Sequence, residues 1–144
     1  MKATMAELSD SDRVESLRKI PLFEDLDDET LRRVVDSATE FEAASGHVLV
    51  QPNMAGAGLF VIEEGTVTVQ LPDRSLELGP GAFFGELALL TEDATHSARA
   101  SAATQLRCLA IGRDDFDALL EDQPRLAIRM LKTVAQRLAN LTRP

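Results

Sequence analysis

Gly85 and Glu86 stand between two phenylalanines and an apolar run, in FFGELALL at 83–90. A glycine just ahead of a helix lets ligand atoms approach the backbone. The unpaired N–H groups of a helix start attract anions. Glu86 has the wrong charge to serve such an anion, but its carboxylate can accept a hydrogen bond from a sugar hydroxyl held beside it. An anion-binding turn next to a hydroxyl acceptor suits a ligand carrying both phosphate and ribose. Taken alone the pattern is weak, because a strand–glycine–helix turn needs no ligand.

No other group of side chains competes for chemistry. Ser45, Ser97 and Ser101 lack an adjacent base and acid for nucleophilic catalysis. Glu92 and Asp93 read as solvated loop rather than as an acid/base pair. His47 and His96 are far apart in sequence and without a matching carboxylate, so they give no metal-ligand spacing. The acids of EDLDDE at 24–29 resemble no calcium loop and suit helix capping. Cys108 is the lone cysteine, which excludes an internal disulfide, and its setting in LRCLAI reads as a strand with a buried, inert thiol. No enzyme, metal or resident cofactor is expected.

The chain has 144 residues, enough for one domain with a core, and its 44% hydrophobic and 27% charged content is ordinary globular composition. Tyr and Trp are absent and the net charge is −9, so stacking platforms for bases are lacking and nucleic acid or an anionic membrane would be repelled. Arg125, Arg129, Lys132, Arg137 and Arg143 spread round a helix and read as its solvated face. With no apolar stretch of membrane-spanning length and a polar N-terminus, a soluble cytoplasmic protein is expected.

The elements that must hold the turn are legible around it. Residues 1–11 read as a polar tail, and 12–42 as a helical unit with Pro21 ending the first helix and Asp27 or Asp28 capping the second. From 43 to 112 come short runs rich in Val, Leu and Thr, punctuated by Gly46, Gly58, Gly65, Gly79 and Gly81. That spacing argues an antiparallel sandwich or barrel. From 113 to 142 the period is helical again, with Pro124 opening the last helix. Ala127, Leu131, Val134, Leu138 and Leu141 step by 4, 3, 4 and 3, a stripe that either packs on its own domain or pairs two helices as a homodimer.

From about Val14 to Leu141 the chain resembles the cyclic nucleotide-binding domain of catabolite activator proteins, cAMP-dependent kinases and cyclic nucleotide-gated channels. The carrying residues are IPLFEDLDDETL, Gly46, LFVIEEGTVTV with Gly65, LGPGAFFGELALL, and IGRDDFDALLEDQPRLAIRMLKTVAQRLANL. The resemblance implies a mainly β fold, an eight-stranded antiparallel jelly-roll β-roll flanked by helices. It implies Phe84, Gly85, Glu86, Leu87 and Ala88 as a phosphate-binding cassette, with Glu86 on the ribose 2′-hydroxyl and the amides of Leu87 and Ala88 at the cyclic phosphate. The last helix would cover the base.

The family pattern then calls for an arginine at the phosphate, and here the chain reads TEDATHSARASA, with Thr95 or His96 at that place according to register. Ser97 matches the small residue that helps hold the phosphate, followed by Ala98. Losing a charge-assisted bond of roughly 1.5–3 kcal/mol weakens binding about ten- to a hundredfold. Three readings stay open: His96 serves as an imidazolium, Arg99 swings back over the phosphate, or the pocket has changed or lost its ligand. The expected function is a stand-alone sensor of a cyclic nucleotide, cAMP by default over cGMP, or of a related phosphorylated small molecule. It would signal through its C-terminal helix to a partner protein or by dimerisation, since no DNA-binding helix-turn-helix follows before Pro144. The alternative is a ligandless scaffold for dimerisation or partner binding.

Overall fold

The computed structural model of the chain describes residues 4–53, 58–86, 90 and 98–142. Helix α1 (Asp10–Arg18) begins two residues ahead of Asp12 because Ser9 caps it, its hydroxyl accepting from the Asp12 N–H at 3.2 Å. The segment before it is not a loose tail from Thr4 onward. Met5–Glu7 forms a 3-10 turn whose Met5 N–H donates to the Glu40 carboxylate at 2.9 Å. A second 3-10 turn, Pro21–Phe23, buries Leu22 and Phe23 and makes the corner before α2 (Asp28–Ser37), which Asp27 caps by accepting from the Thr30 N–H at 2.9 Å.

Among the described residues eight strands follow: β1 (Ala38–Ala43), β2 (Val48–Val50), β3 (Gly58–Glu64), β4 (Val67–Gln70), β5 (Ser75–Leu78), β6 (Phe83–Phe84), β7 (Arg99–Ala102) and β8 (Leu106–Gly112). They form two antiparallel sheets of four, β1-β8-β3-β6 and β2-β7-β4-β5. This is the β-roll with flanking helices that the turn spacing and the resemblance imply. The first sheet is covered on both faces, which is why β3 and β8 are apolar nearly throughout. Leu59, Val61, Leu109 and Ile111 face the helices, whereas Ile62, Leu106 and Cys108 face the second sheet. The Cys108 thiol is buried, and burial followed by the nearby Glu63 charge pushes its pKa to about 12, so it is inert as expected.

At the end of β3 the pairing with β8 slips between Ile62 and Glu64, a bulge whose extra residue is Glu63. Burial, then the hydrogen bond to Glu40 and repulsion from it, raise the Glu63 carboxyl from 4.5 to about 8, against the opposing pull of Arg107. The native state therefore keeps a proton that the unfolded chain has lost above 4.5. This contribution to stability is complete below 4.5 and is lost as the pH rises through about 8. Solvent reaches the pair in part, so the loss is discounted to about 1–2 kcal/mol. Urea unfolding at pH 6 and pH 9 is expected to find the native protein weaker at pH 9, and Glu63→Gln to be less sensitive by that amount. An equal pH response in the variant would remove Glu63 from the account.

Helices α3 (Arg113–Asp122) and α4 (Pro124–Thr142) follow, separated by Gln123, whose φ −127° and ψ 84° lie outside the helical region that a residue before proline avoids. Leu126 and Met130 of α4 are buried with the helix-side core and Val134 packs against it. Arg129 ties the same half of α4 to the corner before α2, pairing with Glu24 at 2.6 Å and with Asp25. The 4-3-4-3 stripe is thus only partly the packing face: Val134 packs on the core, but Leu131 and Leu138 are 67% and 62% exposed. The face turned to the rest of the domain shares 134 and 141 with the stripe and otherwise lies one residue before it, stepping through 126, 130, 134, 137 and 141 with the 3.6-residue period of a straight helix.

Candidate ligand site

Strand β6 hands its two phenylalanines to opposite cores, Phe83 to the helix side and Phe84 to the space between the sheets. The chain then turns at Gly85 with φ +90°, a conformation that L side chains rarely adopt. A Cβ there would lie 3.0 Å from the Gly58 carbonyl oxygen and 3.2 Å from the Phe60 ring. The sequence thus folds tightly here because position 85 has no side chain, and the turn aims Glu86 into a cavity.

That cavity has a volume of about 240 Å³ and lies between the second sheet and α4. Its walls are apolar, with Val50, Val69, Leu78 and Ala100 from the strands and Val134 and Leu138 from α4. Among the described lining residues two carry charge, Glu86 and Arg137. Glu86 is only 6% exposed, and its carboxylate accepts a hydrogen bond from Arg137 Nη1 at 3.3 Å. The guanidinium lies over the Phe83 ring, 4.4 Å from its centroid.

Burial pushes the Glu86 carboxyl above its ordinary value and the Arg137 charge pulls it back. Burial likewise lowers Arg137, and Glu86 opposes that. Each ion is disfavoured by the apolar wall and held charged by the other. The arrangement offers an apolar slot for a ring system, a carboxylate that can accept from hydroxyls, and a cation mounted on the closing helix.

Of the residues singled out from sequence, Phe84, Gly85, Glu86 and Ala98 line this cavity together. Arg99 does not. Alternation along β7 gives Ala98 and Ala100 to the cavity and leaves Arg99 exposed on the other face. Leu87, Ala88, His96 and Ser97 lie outside the described residues. Sequence reasoning misses Arg137, which with Arg129 departs from the solvated face assigned to the helix. The available signal is its position, three residues after Val134 and four before Leu141, where an arginine inside an apolar period calls for a buried acid.

A second hollow of about 340 Å³ lies beside the N-terminal turn, where Arg13 and Glu40 are its charged lining. Both are engaged with that turn, Arg13 Nε donating to the Met5 carbonyl at 2.6 Å and Glu40 accepting from Met5. Among the described residues no group of three or more His, Cys, Asp and Glu is placed to hold a metal ion, and no helix is long and apolar enough to cross a membrane.

Two facing antiparallel sheets, with a C-terminal helix over an apolar slot that holds a buried carboxylate, define a β-roll domain with a cavity of small-ligand size. The chain belongs to the cyclic nucleotide-binding domain family, whose sequence model matches residues 40–123. Over 118 residues it is 37% identical to a cyclic nucleotide-gated potassium channel of Rhizobium etli, a match covering 82% of this chain and 33% of the channel. It therefore spans about a third of the length of that relative. Among solved structures it is similar to the catabolite activator protein of Thermus thermophilus, with TM-score 0.73 and 28% identity over 84% of this chain and 59% of that one. It is also similar to the regulatory subunit of a cAMP-independent protein kinase A from Trypanosoma brucei, with TM-score 0.77 and 25% identity over 88% of this chain and 46% of that one. Domains of this family are regulatory modules, and a cyclic nucleotide is the ligand the family implies.

Proposed function

We propose that this chain is a non-catalytic sensor module that takes a cyclic nucleotide of the cAMP type in the cavity between Gly85-Glu86 and α4, and reports its presence through α4. The observation that carries this reading is the placement of Glu86, a buried carboxylate on the wall of an apolar slot and tied directly to the helix that covers it. Phe84, Gly85, Glu86, Leu87, Ala88, His96, Ser97 and Ala98 form the proposed ligand-binding set, and Arg99, exposed on the far face of β7, drops out of it. Glu86 takes the ribose hydroxyl, and the segment from Leu87 to Ser97 takes the phosphate. Leu126, Met130 and Arg129 anchor the first half of α4, so the half from Val134 onward, which lines the cavity, is the part whose placement a ligand changes. A ligand signals only if it binds one placement of that half better than another.

The test is calorimetric titration with cAMP and cGMP at pH 6 and pH 7.5, alongside His96→Ala and Arg99→Ala. Micromolar binding of cAMP is expected. The exposure of Arg99 leads us to expect no change in its variant, whereas tighter binding at pH 6 that vanishes in His96→Ala would assign His96 to the phosphate. A ligand that binds the native state must also raise its melting temperature. No heat and no thermal shift up to millimolar cAMP or cGMP would sink the reading.

One observation favours the ligandless alternative. Ile128, Leu131 and Leu138 of α4 are large apolar side chains left exposed, the last at the edge of the cavity, and their spacing suits a helix-pairing seam. On that reading the β-roll is a scaffold and the seam joins two copies. A dimer in sedimentation that no nucleotide stabilises or dissociates would favour it.

A further inference from the structure

A negatively charged ligand entering this cavity meets a difficulty that the lining itself poses. The walls are apolar, and the carboxylate of Glu86 is already there. Two anions side by side in a poorly hydrated slot repel strongly, so a cation must face them for the ligand to stay. Among the described lining residues one cation is available, Arg137. Arg99, the other described arginine near this part of the second sheet, is exposed on the far face of β7.

Arg137 is built to be shared. It touches Glu86 through one nitrogen, at 3.3 Å, longer than the 2.7–2.9 Å usual for a charge-assisted bond. The planar guanidinium has five N–H donors, and among the described residues Glu86 is its one polar partner. The guanidinium is held by the Phe83 ring rather than by a second carboxylate, its central carbon 4.4 Å from the ring centroid, which fixes where the head group sits without consuming its donors. Its side chain keeps 20% exposure, so it stands at the boundary between the slot and solvent.

We propose that Arg137 is the counter-ion of the ligand: its guanidinium turns from Glu86 toward the anionic group of the incoming molecule, leaving Glu86 to accept from a hydroxyl of that molecule. In the empty protein Glu86 joins the cavity to the second half of α4, and in the complex the ligand joins them. The ligand thereby replaces a protein–protein ion pair with its own contact to the same helix residue, which couples occupancy to the position of α4. This rests on the reading of the cavity as a cyclic nucleotide site and adds to it the residue that meets the charge.

The probe is cAMP, titrated into the wild-type chain, Arg137→Met and Arg137→Lys. Both substitutions keep an unbranched stem, and only the second keeps the charge. Arg137→Met is expected to bind cAMP about ten- to a hundredfold more weakly than wild type. Arg137→Lys is expected to recover most of that affinity, both variants giving the circular dichroism spectrum of the native fold. Adenosine, which lacks the phosphate, should lose far less affinity than cAMP on the Met substitution. Unchanged or tighter cAMP binding by Arg137→Met would overturn the inference while leaving the cyclic nucleotide reading intact, because the ion pair would then merely compete with the ligand. Equal losses in Met and Lys would also overturn it, as a guanidinium shape without a charge role. Absence of cAMP binding by the wild-type protein would overturn both.

Discussion

Gly85→Ala is expected to lower the free energy of unfolding by about 2–6 kcal/mol and to abolish cyclic nucleotide binding. Two costs add. An L residue held at φ +90° carries about 1–3 kcal/mol of backbone strain. The new methyl group would also sit 3.0 Å from the Gly58 carbonyl oxygen and 3.2 Å from the Phe60 ring, an overpacking cost of about 1–3 kcal/mol. The chain relieves both by opening the turn, and that moves Glu86, the next residue, out of the cavity. Two other glycines separate the terms. Gly46 has φ +91° and open space within 4 Å of where a methyl group would sit, so Gly46→Ala should show the strain alone. Gly79 has neither feature, and Gly79→Ala should stay within about 0.5 kcal/mol of wild type. Denaturant unfolding of the three variants, with cAMP titration of each, checks the order. A Gly85 loss no larger than that at Gly46 would show that the close approach to β3 contributes nothing.

The second large effect belongs to Phe116, on the face of α3 toward the first sheet. Phe116→Ala should cost about 3–5 kcal/mol, since the side chain is 1% exposed and sits in the helix-side core with Leu109, Ile111, Leu119 and Leu126. For a chain of this size that lowers the melting temperature by on the order of 10 °C or more. Phe116→Leu, which fills more of the space, should cost well under half as much. The contrast matters for function, because α3 carries the joint from which α4 reaches back over the cavity. A small loss for Phe116→Ala would mean that α3 does not anchor that joint.

Most of the architecture was legible because it rests on local physics. Short Val- and Thr-rich runs divided by glycines imply antiparallel strands whatever surrounds them, and Pro124 after a polar pair starts a helix wherever it occurs. Gly85-Glu86 was legible for the same reason: a residue without a side chain at a turn and a carboxylate after it are facts of type and order. Two local boundaries differ. Helix α1 starts at Asp10 because Ser9 was available as a cap, and the residues from Thr4 are held by Glu40, thirty-five positions away from Met5.

What the chain order could not rank is which surface each side chain finally meets. The stripe through Leu131 and Leu138 is the better coiled-coil pattern, yet the core takes the neighbouring face through Leu126 and Met130, because the anchors on offer, Glu24, Asp25 and the helix-side core, lie there. Arg99 looked close to the phosphate by sequence, but strand alternation turns it away. Arg137 looked like one more charge on a wet helix, and it is the cation among the described residues of the cavity. Residue types and their order were enough for the family, the β-roll with its helices and the carboxylate of the site. Which cation faces that carboxylate came from the fold, because the partner lies fifty-one residues away and the pairing depends on how α4 is rotated against the sheets.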